Sequence, residues 1–174
     1  MKSFDELTRQ WNDAPPPPRD EGEIKVICLR KGDGVHHAVD QGTLSVDAGL
    51  VGDRWSAGSS PQRHSQLTLI SARVSRVIGY DALEGYESGD NFVVDLDISE
   101  DNLVPGTRLR LGEALIEITA EPHLGCARFR SRFGADALEF VNYKPTRPHR
   151  LRGVHAEVIE PGGVHVGDVI RVLR

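Results

Sequence analysis

The chain has 174 residues, 39% of them hydrophobic and 27% charged, so it is long enough to bury a core as one globular domain. A net charge of −5 argues against nucleic acid as the main partner, because phosphate binding needs a basic face. No stretch approaches the roughly 20 apolar residues of a membrane span, and the N-terminus has no apolar signal core, so neither a membrane nor secretion is expected.

The first 22 residues predict a short helix followed by a linker. Ser3 and Glu6 fit a capping box, in which the two side chains satisfy free amides at a helix start. Apolar side chains then recur at the spacing of one helical face: Phe4, Leu7 and Trp11. Four consecutive prolines favour an extended spacer. We therefore divide the chain into an N-terminal helix with a proline-rich linker, residues 1–22, and a main domain, residues 23–174.

Alternation of polar and apolar residues predicts the first strands of the main domain: 23–30, a short strand within 42–50, 65–71 and 91–98. Helical spacing predicts a helix over 71–80, with Gly79 as its stop. A hairpin is predicted over 107–122, with its turn at Gly112.

Two further elements are predicted near the C-terminus. Residues 134–142 read as a short helix capped by Asp136, and residues 152–173 read as a second hairpin with a Pro-Gly-Gly turn. Many short strands with 18 glycines and 10 prolines among them favour a mainly β fold with a few short helices, built as a closed or partly closed barrel.

The stretch "EPHLGCARF" raises the question of whether its cysteine is reactive. Cys126 follows a predicted strand, with His123 before it and Arg128 and Arg132 after it. Nearby cations lower the pKa of a thiol and favour the reactive thiolate. The residues alone leave two alternatives open. Cys126 is either a working thiol in a basic setting or an inert buried cysteine beside solvated surface arginines.

The second cysteine, Cys28, lies inside a predicted strand among apolar residues, and packing explains it. Two cysteines far apart in the chain predict no disulfide framework, and they favour a reducing cytoplasm. His123 and Cys126 have a spacing that suits zinc, but no second paired element accompanies them, so a structural zinc site is not expected. The glycine-rich loop around Asp53 and Arg54 lacks the pattern of a phosphate-binding loop, and these two residues are expected to pair locally.

Taken in order, several segments resemble the MOSC family, named after the C-terminal domain of molybdenum cofactor sulfurases. They are "GLVGDRW" (49–55), "QLTLIS" (66–71), "SGDNFVVDLDIS" (88–99), "LVPGTRLRLGEALIEIT" (103–119), "EPHLGCARF" (121–129) and "RGVHAEVIEPGGVHVGDVIRV" (152–172). The resemblance covers roughly residues 24–173. The sequence departs from the family pattern at one position, where "GDN" stands for the common "GEN".

The resemblance implies a barrel-like domain that works with the molybdenum cofactor, a molybdopterin. It places Cys126 at the family cysteine, which carries sulfur or ligates molybdenum, with His123 as its catalytic neighbour. It further implies a cofactor-binding set: Arg54, Asp90, Asn91, Arg128 and Arg132. The arginines would hold the cofactor phosphate, while Asp90 and Asn91 would line the pocket.

The resemblance leaves the activity open. No pyridoxal-phosphate desulfurase domain is present, so the expected partner is a sulfur donor such as a cysteine desulfurase, or a molybdoenzyme. One alternative is a non-catalytic binding module that uses the N-terminal helix to recruit such a protein. Another is a molybdenum-dependent reductase of N-hydroxylated compounds. Whether the protein is an enzyme is thus not decided by the sequence.

Overall fold

The computed structural model describes residues 1–79 and 85–174 of a mainly β protein with a few short helices, as predicted. Its strands are β1 (Glu21–Arg30), β2 (His36–Val39), β3 (Gln41–Ser45), β4 (Gly49–Leu50), β5 (Leu67–Ser71), β6 (Phe92–Val94), β7 (Arg108–Leu111), β8 (Ala114–Ile118), β9 (Val154–Glu160), β10 (Gly162–His165) and β11 (Val169–Leu173). Its α-helices are α1 (Phe4–Asp13), α2 (Ala72–Ile78), α3 (Ala127–Phe133) and α4 (Ala135–Asn142). Within the described part of the chain, no helix has the length and apolar character needed to cross a membrane.

Seven strands close into a barrel in the order β1, β11, β7, β8, β9, β5, β6 and back to β1. Neighbours are antiparallel except β5 and β6, which run parallel with Leu69 opposite Phe92. Strand β2 pairs with β1 outside this ring, and β10, β3 and β4 form a small separate sheet. Closure leaves few open strand edges, which explains why so many short strands hold together.

The barrel interior is filled by one side of each strand. In β7, Leu109 and Leu111 are fully buried, whereas Arg108 and Arg110 point outward. Arg108 pairs with Glu117 of β8, and Arg110 pairs with Glu160 of β9. In β1 the pairing with β6 shifts between Ile24 and Val26. Because such an irregularity resets the alternation, Ile24 and Ile27 both enter the barrel core.

A second apolar cluster lies between the barrel wall and the helices. Val26 and Cys28 of β1 face it, and Cys28 is fully buried, which confirms the packing interpretation of that cysteine. Leu7 of α1 is also fully buried there, with Phe4 and Trp11 packed against the same cluster. The apolar face of α1 is therefore covered by the same chain.

The predicted N-terminal helix is confirmed, and Ser3 caps it by accepting a hydrogen bond from the Glu6 amide at 3.2 Å. The predicted cap of the later helix is wrong. Helix α4 begins at Ala135, and Asp136 instead accepts a hydrogen bond from the Phe4 amide at 3.1 Å. That carboxylate satisfies a free amide at the start of α1, so it ties two helices together.

The predicted helix over 71–80 forms as α2, which stops where Gly79 adopts a left-handed φ of 114°; Tyr80 lies outside the described residues. The predicted hairpin over 152–173 is wrong. Strand β9 pairs with β5 and β8, β10 with β3, and β11 with β1 and β7. A side chain at Gly162 would lie 2.6 Å from the Ala114 amide, so the chain here packs against the β7–β8 turn instead of folding back. The predicted hairpin over 107–122 forms as β7 and β8.

Candidate functional site: a cysteine in a cavity lined by arginines

Cys126 is exposed and lies in the wall of a cavity of about 170 Å³, hereafter the cysteine cavity. Five arginines line the same cavity: Arg30, Arg54, Arg128, Arg132 and Arg152. The remaining lining residues are small, neutral or apolar: Gly34, His36, Ser88, Gly89, His123, Leu124 and Phe129. Segments from four parts of the chain therefore bring positive charge around one thiol.

The position of Cys126 at the start of α3 favours its thiolate. It is the residue immediately before the helix, so unpaired backbone N–H groups of the first turn lie nearby. Partial burial raises the pKa of the Cys126 thiol, but the N–H groups of Phe129 and Arg128 and the charges of Arg152 and Arg128 outweigh it, so the pKa is lowered. Cys28 shows the opposite behaviour, since burial raises its pKa to about 12.

Asp90 is fully buried behind the cavity wall and organises two lining residues. Its carboxylate accepts hydrogen bonds from Arg152 Nη1 at 2.9 and 2.7 Å, from His123 Nε2 at 2.8 Å and from the Ser88 hydroxyl at 2.7 Å. Burial alone would raise the pKa of Asp90, but Arg152 and then His123 hold it well below its usual range. Asp90 is thus a fixed negative charge that orients both neighbours.

His123 is neutral at physiological pH. Burial, and next the charge of Arg152, lower its pKa to about 4 despite the opposing effect of Asp90. Because Nε2 faces a carboxylate, the ring carries its proton on Nε2 and keeps Nδ1 as a hydrogen-bond acceptor. The ring also contacts that of His155 in a tilted arrangement, with centroids 4.4 Å apart.

The five arginines differ in how they are held. Arg30 forms a buried ion pair with Asp53 at 2.7 Å, so the expected local pair between Asp53 and Arg54 is wrong. Arg132 donates hydrogen bonds to the Gly34 and Glu87 carbonyls and to His36 Nδ1. These bonds fasten loops to α3 and leave little of this guanidinium for a ligand.

Arg54 and Arg128 differ from the other three arginines of the cavity. Among residues 1–79 and 85–174, neither guanidinium has a hydrogen-bond or ion-pair partner. Burial lowers the pKa of Arg54, and the charges of Arg30 and Arg128 lower it further, so like charges crowd this wall. Within the described part of the chain, Arg30 and Arg152 have a carboxylate partner and the other three arginines of the cavity have none, so the described lining carries a net positive charge.

The sequence analysis placed Asp90 and Asn91 on the cavity wall, and the structure puts both behind it, fully buried. Asn91 accepts a hydrogen bond from the Thr68 amide at 3.1 Å and donates one to the Cys28 carbonyl at 3.3 Å. Asn91 directly precedes β6 and so bonds to the two strands that flank β6, which are β5 and β1. Its side chain is fully buried and bonded to these strands, so it supports the cavity wall from behind.

Sequence reasoning missed Arg30 and Arg152 as cavity residues. Arg30 is the last residue of a strand of alternating polar and apolar residues, and Arg152 opens the family-like segment that begins with "RG", but nothing local shows that either approaches Cys126. Arg152 also has an unsatisfied group: its side chain is 8% exposed, and its Nε finds no acceptor among the described residues. An unpaired buried donor of this kind favours a ligand with acceptor oxygens.

A second cavity of about 340 Å³ lies next to the first. His123, Leu124 and Arg152 line both cavities and so form a shared wall. Arg147 and Arg150 add positive charge to the second cavity, and Glu100 and Glu121 add negative charge. Within the described residues, no group of three or more His, Cys, Asp or Glu side chains is arranged to hold a metal ion.

Comparisons with known proteins agree with this architecture. A family model described as "MOSC domain" matches residues 63–171. The YuaD protein from Bacillus subtilis shares 17% identity and a TM-score of 0.64, over 87% of this chain and 95% of that one. YiiM from Escherichia coli shares 21% identity and a TM-score of 0.59, over 87% and 70%. At these identities the likeness shows the fold. No curated protein matches the chain.

Proposed function

Because the chain belongs to the MOSC domain family, we propose that the cysteine cavity is its functional site and that Cys126 works there as a thiolate. In this proposal the thiolate carries sulfur as a persulfide or ligates the molybdenum of a pterin cofactor. The observation that carries the proposal is the arrangement of an exposed thiol beside two arginines, Arg54 and Arg128, that have no partner among the described residues.

The residues present fit the anionic parts of the molybdenum cofactor, with which MOSC domains are associated. A thiolate is a soft ligand suited to such a metal, and guanidinium groups bind phosphate through paired hydrogen bonds. Arg54 and Arg128 would hold the phosphate, and the unsatisfied Nε–H of Arg152 would donate a hydrogen bond to a further oxygen. At about 170 Å³ the cysteine cavity is smaller than the ~300–1,000 Å³ of typical ligand sites, so a whole pterin would extend beyond it.

When bound, the molybdenum cofactor supplies a metal centre that can change oxidation state and exchange sulfur and oxygen ligands. The chain itself supplies charge and position. Arg54 and Arg128 attract and orient the anion, while the buried Asp90 keeps Arg152 and His123 in place. His123, neutral and carrying its proton on Nε2, adds no charge that would compete for the anion.

In the sulfur-carrying role, the Cys126 thiolate attacks the outer sulfur of a donor persulfide. The sulfur–sulfur bond of the donor breaks, the donor cysteine leaves as a thiolate, and Cys126 becomes a persulfide. The surrounding arginines favour both the thiolate and the persulfide anion, because each carries a negative charge in a positively charged cavity. The donor implied by the family is a cysteine desulfurase, and the recipient is a molybdoenzyme or its cofactor. The second cavity, of about 340 Å³, adjoins the cysteine cavity through His123, Leu124 and Arg152.

The proposal is tested by isolating the protein from a host that makes the molybdenum cofactor. Elemental analysis measures bound molybdenum, and mass spectrometry measures a mass increase of one sulfur atom on Cys126. The wild-type chain and a Cys28→Ala control should carry one or the other, whereas Cys126→Ser should carry neither. Equal loading of Cys126→Ser and wild type would end the proposal.

A further inference from the structure

We infer that the cysteine cavity admits a small inorganic sulfur oxyanion, of which thiosulfate is the simplest, and that Cys126 removes its outer sulfur. This inference rests on the proposed function, and it names a sulfur donor that needs no protein partner. Three features of the cavity carry it: its size, its unpaired hydrogen-bond donors and, among the described residues, a lining without acidic groups.

The size of the cavity selects a small ligand. A volume of about 170 Å³ is below the ~300–1,000 Å³ that encloses drug-sized molecules, but it accommodates an ion of a few atoms beside Cys126. Leu124 and Phe129 are the large apolar residues of the lining, and its five arginines supply its positive charge. A compact anion can therefore contact the thiol and the guanidinium groups together.

The unpaired donors select an oxyanion. Arg54 and Arg128 have no partner among the described residues, and each presents a planar fork of N–H groups that matches two oxygens of a tetrahedral anion. Arg152 lines the same cavity with a side chain only 8% exposed, and its Nε has no acceptor in the described part of the chain. A buried donor without an acceptor is costly unless a ligand satisfies it.

Among the described residues that line the cavity, there is no carboxylate to repel a doubly charged anion. Asp53 and Asp90, the acidic partners of Arg30 and Arg152, lie behind the wall and are buried, and neither is a lining residue. His123 is neutral. The anion therefore meets an excess of positive charge, which is the arrangement that binds and steers anionic substrates.

The reaction balances without an added oxidant. The Cys126 thiolate attacks the outer sulfur of thiosulfate, and a bond forms between Sγ and that sulfur. The sulfur–sulfur bond of thiosulfate breaks, and its electron pair leaves with the sulfur trioxide group as sulfite. Cys126 is left as a persulfide anion. Total charge is unchanged, and Arg54 and Arg128 would stabilise the negative charge that collects on the departing sulfite.

The test uses the full chain with thiosulfate as donor and cyanide as sulfur acceptor. Wild-type protein should gain one sulfur on Cys126, release one sulfite for each sulfur gained, and form thiocyanate when cyanide is added. Arg54→Gln and Arg128→Gln should each lower the rate at subsaturating thiosulfate about tenfold or more, because each loses a charge-assisted hydrogen bond. Arg19→Gln is the matched control, since Arg19 is an exposed arginine paired with Asp101 outside the cavity, and its rate should equal that of wild type.

A parallel reaction with polysulfide, a donor without an oxyanion group, separates this inference from the proposed function. Loading by polysulfide but not by thiosulfate would overturn the inference and leave the proposed function standing. Competition by sulfate without any sulfur transfer would show an anion site with no sulfur chemistry, which also overturns it. Failure of both donors, together with no sulfur or molybdenum on protein isolated from cells, would count against the proposed function itself.

Discussion

Replacing Asp90 with asparagine should be the most destabilising conservative change near the cavity. The Asp90 carboxylate is fully buried and accepts two hydrogen bonds from Arg152, one from His123 and one from Ser88. Asparagine keeps the shape and removes the charge, so Arg152 remains buried without a counter-ion. Breaking a buried ion pair in this way costs about 3–5 kcal/mol. We expect Asp90→Asn to lower the free energy of unfolding by that amount, measured by urea denaturation at neutral pH.

Two further variants test whether the loss of stability comes from the unpaired charge of Arg152. Asp101→Asn removes one carboxylate of an exposed ion pair and should leave the urea midpoint nearly unchanged. The double variant Asp90→Asn with Arg152→Met removes the stranded charge and should recover much of the loss. A loss below about 1 kcal/mol in Asp90→Asn, or no recovery in the double variant, would refute the argument that Asp90 neutralises Arg152.

Substitutions of three other side chains test the site, the packing of α1 and the attachment of the loops. His123 has a folded pKa of about 4 and an unfolded pKa near 6.5, so the unfolded state binds a proton first as pH falls. The free energy of unfolding should therefore drop by about 3 kcal/mol between these pH values. A urea series from pH 7 to pH 4 should show a shallower drop in His123→Gln. Leu7→Ala should lower the free energy of unfolding by about 2–5 kcal/mol, because the Leu7 side chain of α1 is fully buried. Arg9→Ala, on the exposed side of the same helix, should have little effect. Equal urea midpoints for the two variants would show that α1 does not pack on the barrel. Arg132→Met should increase hydrogen exchange at Gly34 and Glu87, whose carbonyls it binds, and unchanged exchange would contradict its role as a loop tie.

Local elements of the fold were predictable because their signals are local. The hairpin of β7 and β8 follows from two alternating runs around Gly112, whose φ of 56° is left-handed, and α1 follows from its serine cap and its apolar face. The pairing of β9, β10 and β11 was not predictable in this way, because each strand finds a partner far away in the sequence. Helix α3 has no counterpart among the predicted elements. It is seven residues long, and its three arginines alternate with other residues, a period of two that is typical of a strand. In the structure, Phe129 and Phe133 instead share its buried face.

In the candidate site, too, the residues with a local sequence signal were predictable and those brought in by distant segments were not. The stretch around Cys126 drew attention because the thiol, a histidine and several arginines are close in sequence, and the structure places His123, Arg54, Arg128 and Arg132 on one cavity wall with it. Arg30 and Arg152 join them only through closure of the barrel, which no local pattern reports. Asp90 and Asn91 were expected to contact a ligand, but both are fully buried and instead hold the residues that line the cavity.

Cys126 is an exposed thiol whose pKa is lowered in a cavity lined by arginines, and the pH dependence of its alkylation tests this most directly. Iodoacetamide modification, followed by peptide mass spectrometry, gives a rate for each cysteine. The account predicts that Cys126 reaches its half-maximal rate at a lower pH than free cysteine, that Arg128→Gln moves this midpoint upward, and that Cys28 reacts only after unfolding. A midpoint equal to or above that of free cysteine, unchanged by Arg128→Gln, would contradict the claim.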